Sequence, residues 1–343
     1  MPLSVSLGDA ITEYTEYRRA HGDAANTVAN HVQVLSRALR EWGNIRVSAV
    51  EPRHVARLFT AGGWAPSTRN LYLSNLRQFF RWCRACNYMG RDTDPIAMWN
   101  NVRVPQVDKL RLPLHEFPAL LDACRHPRDR AICALGLFTF CRGSEINNLR
   151  IDDLDLGGGV LHVYRQKTRE EDTLPVSTEL AGELTRYLNW YRSDQGILRG
   201  DWYLCPAKKP DIWQQDPATR RLVRSDRHAG LRPERKEAKP YRAVQRALRG
   251  LGYETRGEGE HTLRRSGARC LADRLRDEGY DGALLRVASM LGHKDTKITE
   301  HYIGWGLERS QRNEMFSGQA MFPELERPSG SLTVIPTNEG THG

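Results

Sequence analysis

At 343 residues the chain is too long for one compact core and about right for two domains of ordinary size. The composition is globular, 39% hydrophobic and 27% charged, with 29 Gly and 17 Pro, which excludes a collagen-like or wholly disordered polymer. Lys+Arg outnumber Asp+Glu by 51 to 42, a net +9, and only eight of the 51 are Lys, so the basic character is carried by arginine. That balance suits a polyanionic partner, and arginine is the cation better shaped for paired phosphate contacts.

No run of about 18 apolar residues occurs, and Met1–Leu7 has no basic region ahead of an apolar stretch. Neither a membrane span nor a secretory leader is expected, and the expected location is the cytoplasm. The seven cysteines offer one Cys-x-x-Cys (Cys83, Cys86) with no second pair or His-x-x-x-His beside it. They read as reduced thiols on the apolar side of a helix.

The first hundred residues read as four helices. Leu7, Ile11, Tyr14 and Tyr17 recur at helical spacing before Gly22. Val28, Val32, Leu35, Leu39 and Trp42 follow, with Thr27 as the N-cap and Gly43 as the stop. A shorter helix carries Val55, Leu58 and Phe59 between Pro52 and Gly62-Gly63. The fourth opens at Pro66-Ser67 and runs through Leu71, Leu76, Phe79, Phe80 and Cys83 to Gly90. Arg69, Arg77, Arg81 and Arg84 give it a basic face, making them DNA-binding candidates. After Asp94-Pro95, residues 100–112 read as an extended linker, which places a domain boundary there.

Helical patterns resume at 114–124 and 128–141. A hairpin signal comes next: Gly157-Gly158-Gly159, then Val160–Tyr164, a polar stretch, and Thr173–Val176. Ser177 caps a helix carrying Leu180, Leu184, Leu188 and Tyr191. Residues 207–240 hold ten Lys/Arg against five Asp/Glu and are rich in Pro, so they read as an extended basic loop. Lys208, Lys209, Arg220, Arg221 and Arg224 are its candidate DNA contacts. Helices are expected again at 241–250, 262–277 and 282–291. The end, from Glu324, has little to bury and reads as a disordered tail.

Glycine-rich phosphate loops, acidic triplets at metal-site spacing and Gly-x-Ser-x-Gly are all missing, so no cofactor or metal is implied. What stands out is a set of cations and one tyrosine. Arg142 follows an apolar helix and precedes Glu145 by three. Lys167 sits in the hairpin turn. His261 and Arg264 lie one turn apart at a helix start. Leu291-Gly292-His293 closes another helix, and Tyr302 follows nine residues after His293. Singly, each has a plain explanation: an Arg at a helix end, a solvated Lys, a capping His, a packed Tyr.

Taken in order, these segments resemble the tyrosine recombinase (phage integrase) family, whose set runs Arg…Lys…His-x-x-Arg…His/Trp…Tyr. The resemblance spans about 113–306, and Leu291–Tyr302 is its most specific part. Two positions depart: Thr139-Phe140-Cys141-Arg142 stands for the usual Thr-Gly-x-Arg, and Arg265 for a common second His. The resemblance implies a mainly α chain with a small β-sheet in a two-domain DNA clamp. Residues 1–99 would be a SAM-like helical core-binding domain and 113–310 the catalytic domain, with 311–343 a C-terminal segment and tail. With the first helix starting by Leu7, no arm-binding domain is expected ahead of it.

The resemblance also implies the roles. Arg142 and Arg264 would clamp the scissile phosphate, which gathers negative charge on its non-bridging oxygens. Tyr302 would be the nucleophile, His261 would help remove its proton, Lys167 would protonate the leaving 5′-oxygen, and His293 would hydrogen-bond the phosphate. Glu145 would orient the Arg142 region. The implied partners are double-stranded DNA at core attachment sites, further copies of the chain in a tetramer, and a directionality factor. An integrase of a phage or other mobile element is the favoured role. A chromosome-dimer resolvase is the alternative of the same chemistry, a catalytically silent DNA-binding protein one of another class, and a type IB topoisomerase would relax DNA without synapsis. Met315, Phe316, Met321 and Phe322 are expected to dock on a neighbouring protomer.

Overall fold

The structure, a computed structural model, describes residues 2–105, 109–211, 213–217, 219–224, 229–237 and 239–304. The chain divides into two compact units, Met1–Val107 and Asp108–Gly343.

The first unit is helical: α1 (Leu7–Ala20), α2 (Ala25–Trp42), α3 (Pro52–Gly62) and α4 (Pro66–Ala85). Ser6 caps α1 by accepting from the Asp9 N–H at 3.2 Å, a bond that satisfies one of the donors a helix start leaves open. The start of α2 differs from expectation. Ala24 takes the cap position without a side-chain bond, and Thr27 lies in the first turn. Gly43 (φ +75°) and Gly63 (φ +54°) end α2 and α3 in the left-handed region that glycine occupies without strain. Tyr14, Leu35, Ala38, Leu58, Leu73, Leu76, Phe79 and Phe80 meet in one core. Cys83 joins that core from α4, while Cys86 lies just past the helix; every cysteine is free. Helix α4 stops at Ala85, short of the expected Gly90.

The stretch expected as a linker is secured at both ends. The Asn70 side chain donates to the Val102 carbonyl at 2.8 Å and accepts its N–H at 2.9 Å. On the second unit, the Leu112 N–H donates to Ser266 Oγ at 2.8 Å.

The second unit opens with α5 (Phe117–Asp122) and α6 (Pro127–Thr139), then a single turn, α7 (Gly143–Ile146). Strands β1 (Leu154–Asp155), β2 (Val160–Arg165) and β3 (Glu170–Pro175) form an antiparallel sheet in that order. Its register runs from Val160 opposite Pro175 to Arg165 opposite Glu170, which leaves Gln166–Arg169 as the turn. Helix α8 (Thr178–Gln195) starts at Ser177, whose hydroxyl accepts from the Leu180 N–H. Helices α9 (Tyr241–Gly250), α10 (Glu260–Asp277), α11 (Ala283–Leu291) and α12 (Thr296–Ile303) complete the unit. The core gathers α6, α8, α9 and the inward faces of β2 and β3 around Ile132, Leu135, Leu161, Val163, Leu184 and Val244. A smaller cluster of Phe140, Ala268, Ala272, Val287, Leu291 and Ile303 lies under α12. Among the described residues no helix is long and apolar enough to cross a membrane.

Residues 207–240 correct the expectation of an extended loop. They form two nested hairpins: β4 (Pro206–Lys208) pairs with β7 (Leu231–Lys236), and β5 (Trp213–Gln215) with β6 (Leu222–Arg224). The base of this ribbon is pinned by a buried ion cluster. Asp129, 4% exposed, accepts from Arg128 Nε at 3.0 Å, Lys208 Nζ at 3.1 Å and Arg246 Nη2 at 2.5 Å. Arg128 also reaches the Pro206 carbonyl and Glu237, so both strands of the ribbon are tied to the start of α6. Proline and charge read as loop signals in the sequence; a buried carboxylate collecting distant cations leaves no local pattern.

Candidate active site

Helix α6 ends at Phe140, which adopts a left-handed φ of +55°. This is the position where the resembled motif carries glycine, and a bulky residue there is strained unless its surroundings fix it. Its ring is buried against α10, over Gly267. The turn leaves Arg142 extended as the N-cap of α7. Glu145, 2% exposed, accepts the Arg142 backbone N–H at 2.7 Å and its Nη1 at 2.7 Å, so one carboxylate caps the short helix and fixes the guanidinium.

Helix α10 crosses α6 so closely that a Cβ on Gly267 would lie 1.9 Å from the Leu137 carbonyl oxygen. One turn earlier, that crossing buries Arg264 to 1% exposure. Its guanidinium donates to the Phe140 carbonyl and, at 2.5 Å, to the Leu291 carbonyl, and stands 3.9 Å from Glu145. Burial and the neighbouring Arg142 push the Arg264 pKa down to about 10, which still leaves it charged near neutrality.

Gly292 ends α11 with φ +62°, in the left-handed region that favours glycine, and turns the chain into His293. His293 Nδ1 lies 2.9 Å from the buried Thr299 hydroxyl. Asp295 caps α12, which carries Tyr302; the neighbouring Ile303 is buried. The Tyr302 hydroxyl is 3.1 Å from His261 Nδ1 and 3.4 Å from the His261 carbonyl. The His293 ring stands edge-on to Tyr302 with centroids 5.5 Å apart, and Arg264 Cζ lies 5.9 Å from the Tyr302 ring centre.

The electrostatics follow from burial among arginines. Desolvation raises the Tyr302 pKa, opposed by Arg264 and Arg265. Desolvation together with Arg264, Arg265 and Arg142 lowers that of His261. His293 falls to about 4 through burial, then Arg264, Arg142 and Lys167. A phenol that does not ionise readily therefore sits beside a neutral imidazole able to accept its proton.

The structure brings Arg142, Glu145, His261, Arg264, His293 and Tyr302 into this one cluster. Lys167 is exposed in the Gln166–Arg169 turn, with no hydrogen bond or ion pair among the described residues, and its charge is felt at His293. Arg265 is buried and pairs with Glu258 at 2.7 Å. The sequence reading missed Arg165 and Thr299. Arg165 had a signal: it falls on the inward face of β2 with Leu161 and Val163, where an alternating strand carries apolar side chains.

The DNA-binding candidates divide. Arg77 donates to the Trp99 carbonyl and Asn101, Arg84 pairs with Asp94, and Arg69 lies over Phe59 and Trp99, so these hold their own unit together. Arg81 is exposed with no ion pair among the described residues. Lys208 is committed to Asp129 inside the ion cluster, whereas Lys209, Arg220 and Arg221 are exposed. Arg224 lies on β6. The segment with Met315, Phe316, Met321 and Phe322 lies outside the described residues.

Comparisons with known proteins bear on the fold and the family. The model of the phage integrase family matches residues 111–305. Tyrosine recombinase XerA of Thermococcus kodakarensis is 26% identical over 321 residues, covering 91% of this chain and 98% of that one. The fold is shared with a lambda integrase dimer bound to a COC′ core site (TM-score 0.62, 17% identity, 88% of this chain and 77% of that one). It is shared also with a lambda integrase tetramer bound to a Holliday junction (TM-score 0.61, 18% identity, 87% and 77%). With more than half of its length matched and its relatives bearing the same name, the chain belongs to the phage integrase family and is a tyrosine recombinase.

Proposed function

We propose that this protein is a site-specific DNA recombinase, the integrase of a phage or other mobile element, that cuts and rejoins duplex DNA through a 3′-phosphotyrosyl intermediate. The observation that carries the reading is the Tyr302 hydroxyl, 3.1 Å from His261 Nδ1 and beside the guanidinium of Arg264. His261, held neutral, takes the phenol proton as Tyr302 attacks the scissile phosphate. Arg142 and Arg264 neutralise the charge that gathers on the phosphate oxygens, and Glu145 keeps Arg142 in place. When Thr299 donates to His293 Nδ1, the imidazole proton sits on Nε2 and is free to hydrogen-bond the phosphate. Lys167 delivers a proton to the departing 5′-oxygen. The phosphotyrosine keeps the energy of the broken bond, so a 5′-hydroxyl from the partner duplex reverses the step.

Two duplexes exchange strands only while held together, so a tetramer on DNA is part of the reading; lambda integrase, which shares the fold, forms a tetramer on a Holliday junction. The ribbon of 206–237, beyond what a housekeeping resolvase needs, favours the mobile-element role and adds exposed Lys209, Arg220 and Arg221 for the phosphate backbone. An attachment site beside the gene would support that role, and its absence from the neighbourhood favours the chromosome-dimer resolvase. The chemistry is tested with a nicked suicide substrate that traps the covalent adduct. Tyr302→Phe retains DNA binding and forms no adduct; a trapped Tyr302→Phe protein would show that another residue is the nucleophile.

A further inference from the structure

A guanidinium on the apolar face of a strand is costly to bury unless its donors are all met. Arg165, 3% exposed at the end of β2, finds an acceptor for each of its three nitrogens, on three separate segments. Nε donates to Asp172 Oδ2 on β3 at 3.0 Å, Nη1 to Glu145 Oε2 at 3.1 Å, and Nη2 to the Met290 carbonyl at 2.8 Å. Its side chain also packs beneath Gly292, with Nε 3.5 Å from where a Cβ there would lie. The backbone of the same residue holds the turn that follows, since its carbonyl accepts the N–H groups of Thr168 at 3.2 Å and Arg169 at 2.7 Å.

Those partners are not scattered. Glu145 is the carboxylate that fixes Arg142, Met290 lies three residues before His293, and Asp172 belongs to the hairpin whose turn carries Lys167. Lys167 itself makes no hydrogen bond or ion pair among the described residues, so its place relative to the other cations is inherited from the base of its turn. We propose that Arg165 is a positioning residue for the cleavage step: it locks the Lys167 turn onto the Glu145–Arg142 centre and the end of α11, so that the lysine ammonium reaches the leaving 5′-oxygen. This rests on the reading of Lys167 as the proton donor. A lysine at 165 keeps the charge but cannot reproduce a planar fork that reaches three partners at once.

The test compares single-turnover cleavage by the full chain on nicked substrates whose 5′-leaving atom is oxygen or bridging sulfur. Sulfur departs with little need of a proton, so it separates loss of proton delivery from general damage. Arg165→Lys is expected to slow the oxygen substrate roughly ten- to a hundredfold while staying within about threefold of wild type on sulfur, as loss of general-acid assistance requires. Asp172→Asn loosens the strap from the hairpin side, away from Glu145, and gives a smaller slowing with the same preference for sulfur. It carries the test if Arg165→Lys fails to fold, and a full oxygen rate in Asp172→Asn overturns the proposal. Equal losses on both substrates overturn it too, by assigning Arg165 to the general packing of the site. Lys167→Ala is the control. If it is rescued by sulfur and Arg165→Lys is not, the positioning role alone falls; if Lys167→Ala is not rescued, the proton-donor reading falls and takes this proposal with it.

Discussion

Substituting Gly267 by alanine sets two effects against each other. In an open helix, alanine replaces glycine with a gain of about 1 kcal/mol. Here the new Cβ would lie 1.9 Å from the Leu137 carbonyl oxygen and 2.7 Å from Phe140 Cε1, and the first of these is backbone that cannot rotate away. Helices α6 and α10 would have to part by about 1 Å, across the crossing that packs Leu263 on Gly136 and buries Arg264. Overpacking of this kind costs roughly 1–3 kcal/mol and occasionally more. Because the clash is with main chain, the upper end applies and outweighs helix propensity, leaving a net loss of about 2 kcal/mol. For a unit of this size that lowers the midpoint by about 4–8 °C. The prediction extends to chemistry, because Arg264, carried on α10, donates its guanidinium across the crossing to the Phe140 carbonyl at the end of α6 as well as to the Leu291 carbonyl of α11. Cleavage of a nicked substrate should therefore fall even well below the melting midpoint. Thermal unfolding together with single-turnover cleavage checks both parts. A Gly267→Ala protein as stable as wild type, or more so, would refute the close crossing and the account of Arg264 burial that depends on it.

The double substitution Arg220→Ala/Arg221→Ala should lower the log–log salt slope of DNA binding by about 2, since each lost phosphate contact removes roughly 0.9, and leave stability unchanged. Lys208→Ala should do the reverse, lowering the unfolding midpoint through Asp129 with little change in slope. The buried His126 has its pKa pushed down to about 4 by desolvation, opposed by its hydrogen bond to the Ala229 carbonyl and by Asp129, with Lys208 and Arg128 adding to the fall. The unfolded chain therefore binds the proton first as pH falls. The stability due to a neutral His126 is complete above about pH 6.5 and lost towards pH 4. His126→Gln should flatten the fall of urea midpoint across that window, and an unchanged slope would remove His126 as its source.

Helices with an apolar stripe and a local cap or stop, such as α3 ending at Gly62-Gly63 and α8 after Ser177, were legible because period and punctuation are local. The hairpin of β2 and β3 was legible for the same reason, through alternation and the glycines before it. The start of α2 was not, because Ala24 fills the cap position on backbone geometry alone. The ribbon within 206–237 was hidden because what holds it is an ion cluster joining positions 128, 129, 208, 237 and 246. At the site, the order of Arg142, His261, Arg264, His293 and Tyr302 along the chain suggested a group, and the structure brings their side chains together. Order could not separate arginines facing outward from those holding their own unit, as Arg77 and Arg84 show, since both kinds share one helix. Arg165 was overlooked because a strand ending in a cation looks like a strand reaching solvent.

The pocket around Arg264 bears on why this chain is so rich in arginine where it needs fixed charge. Burial beside a second cation draws even a guanidinium down to about 10. An ammonium begins about two units lower, so the same surroundings would leave a lysine close to losing its proton at the pH of a cell. Arg264→Lys would then convert a permanent cation into one whose charge depends on the medium, and the proposed phosphate clamp would inherit a sensitivity to pH. On the proposed reading the two residue types divide by their access to water: the clamping cation is enclosed as arginine, and the proton-donating lysine stands exposed on its turn.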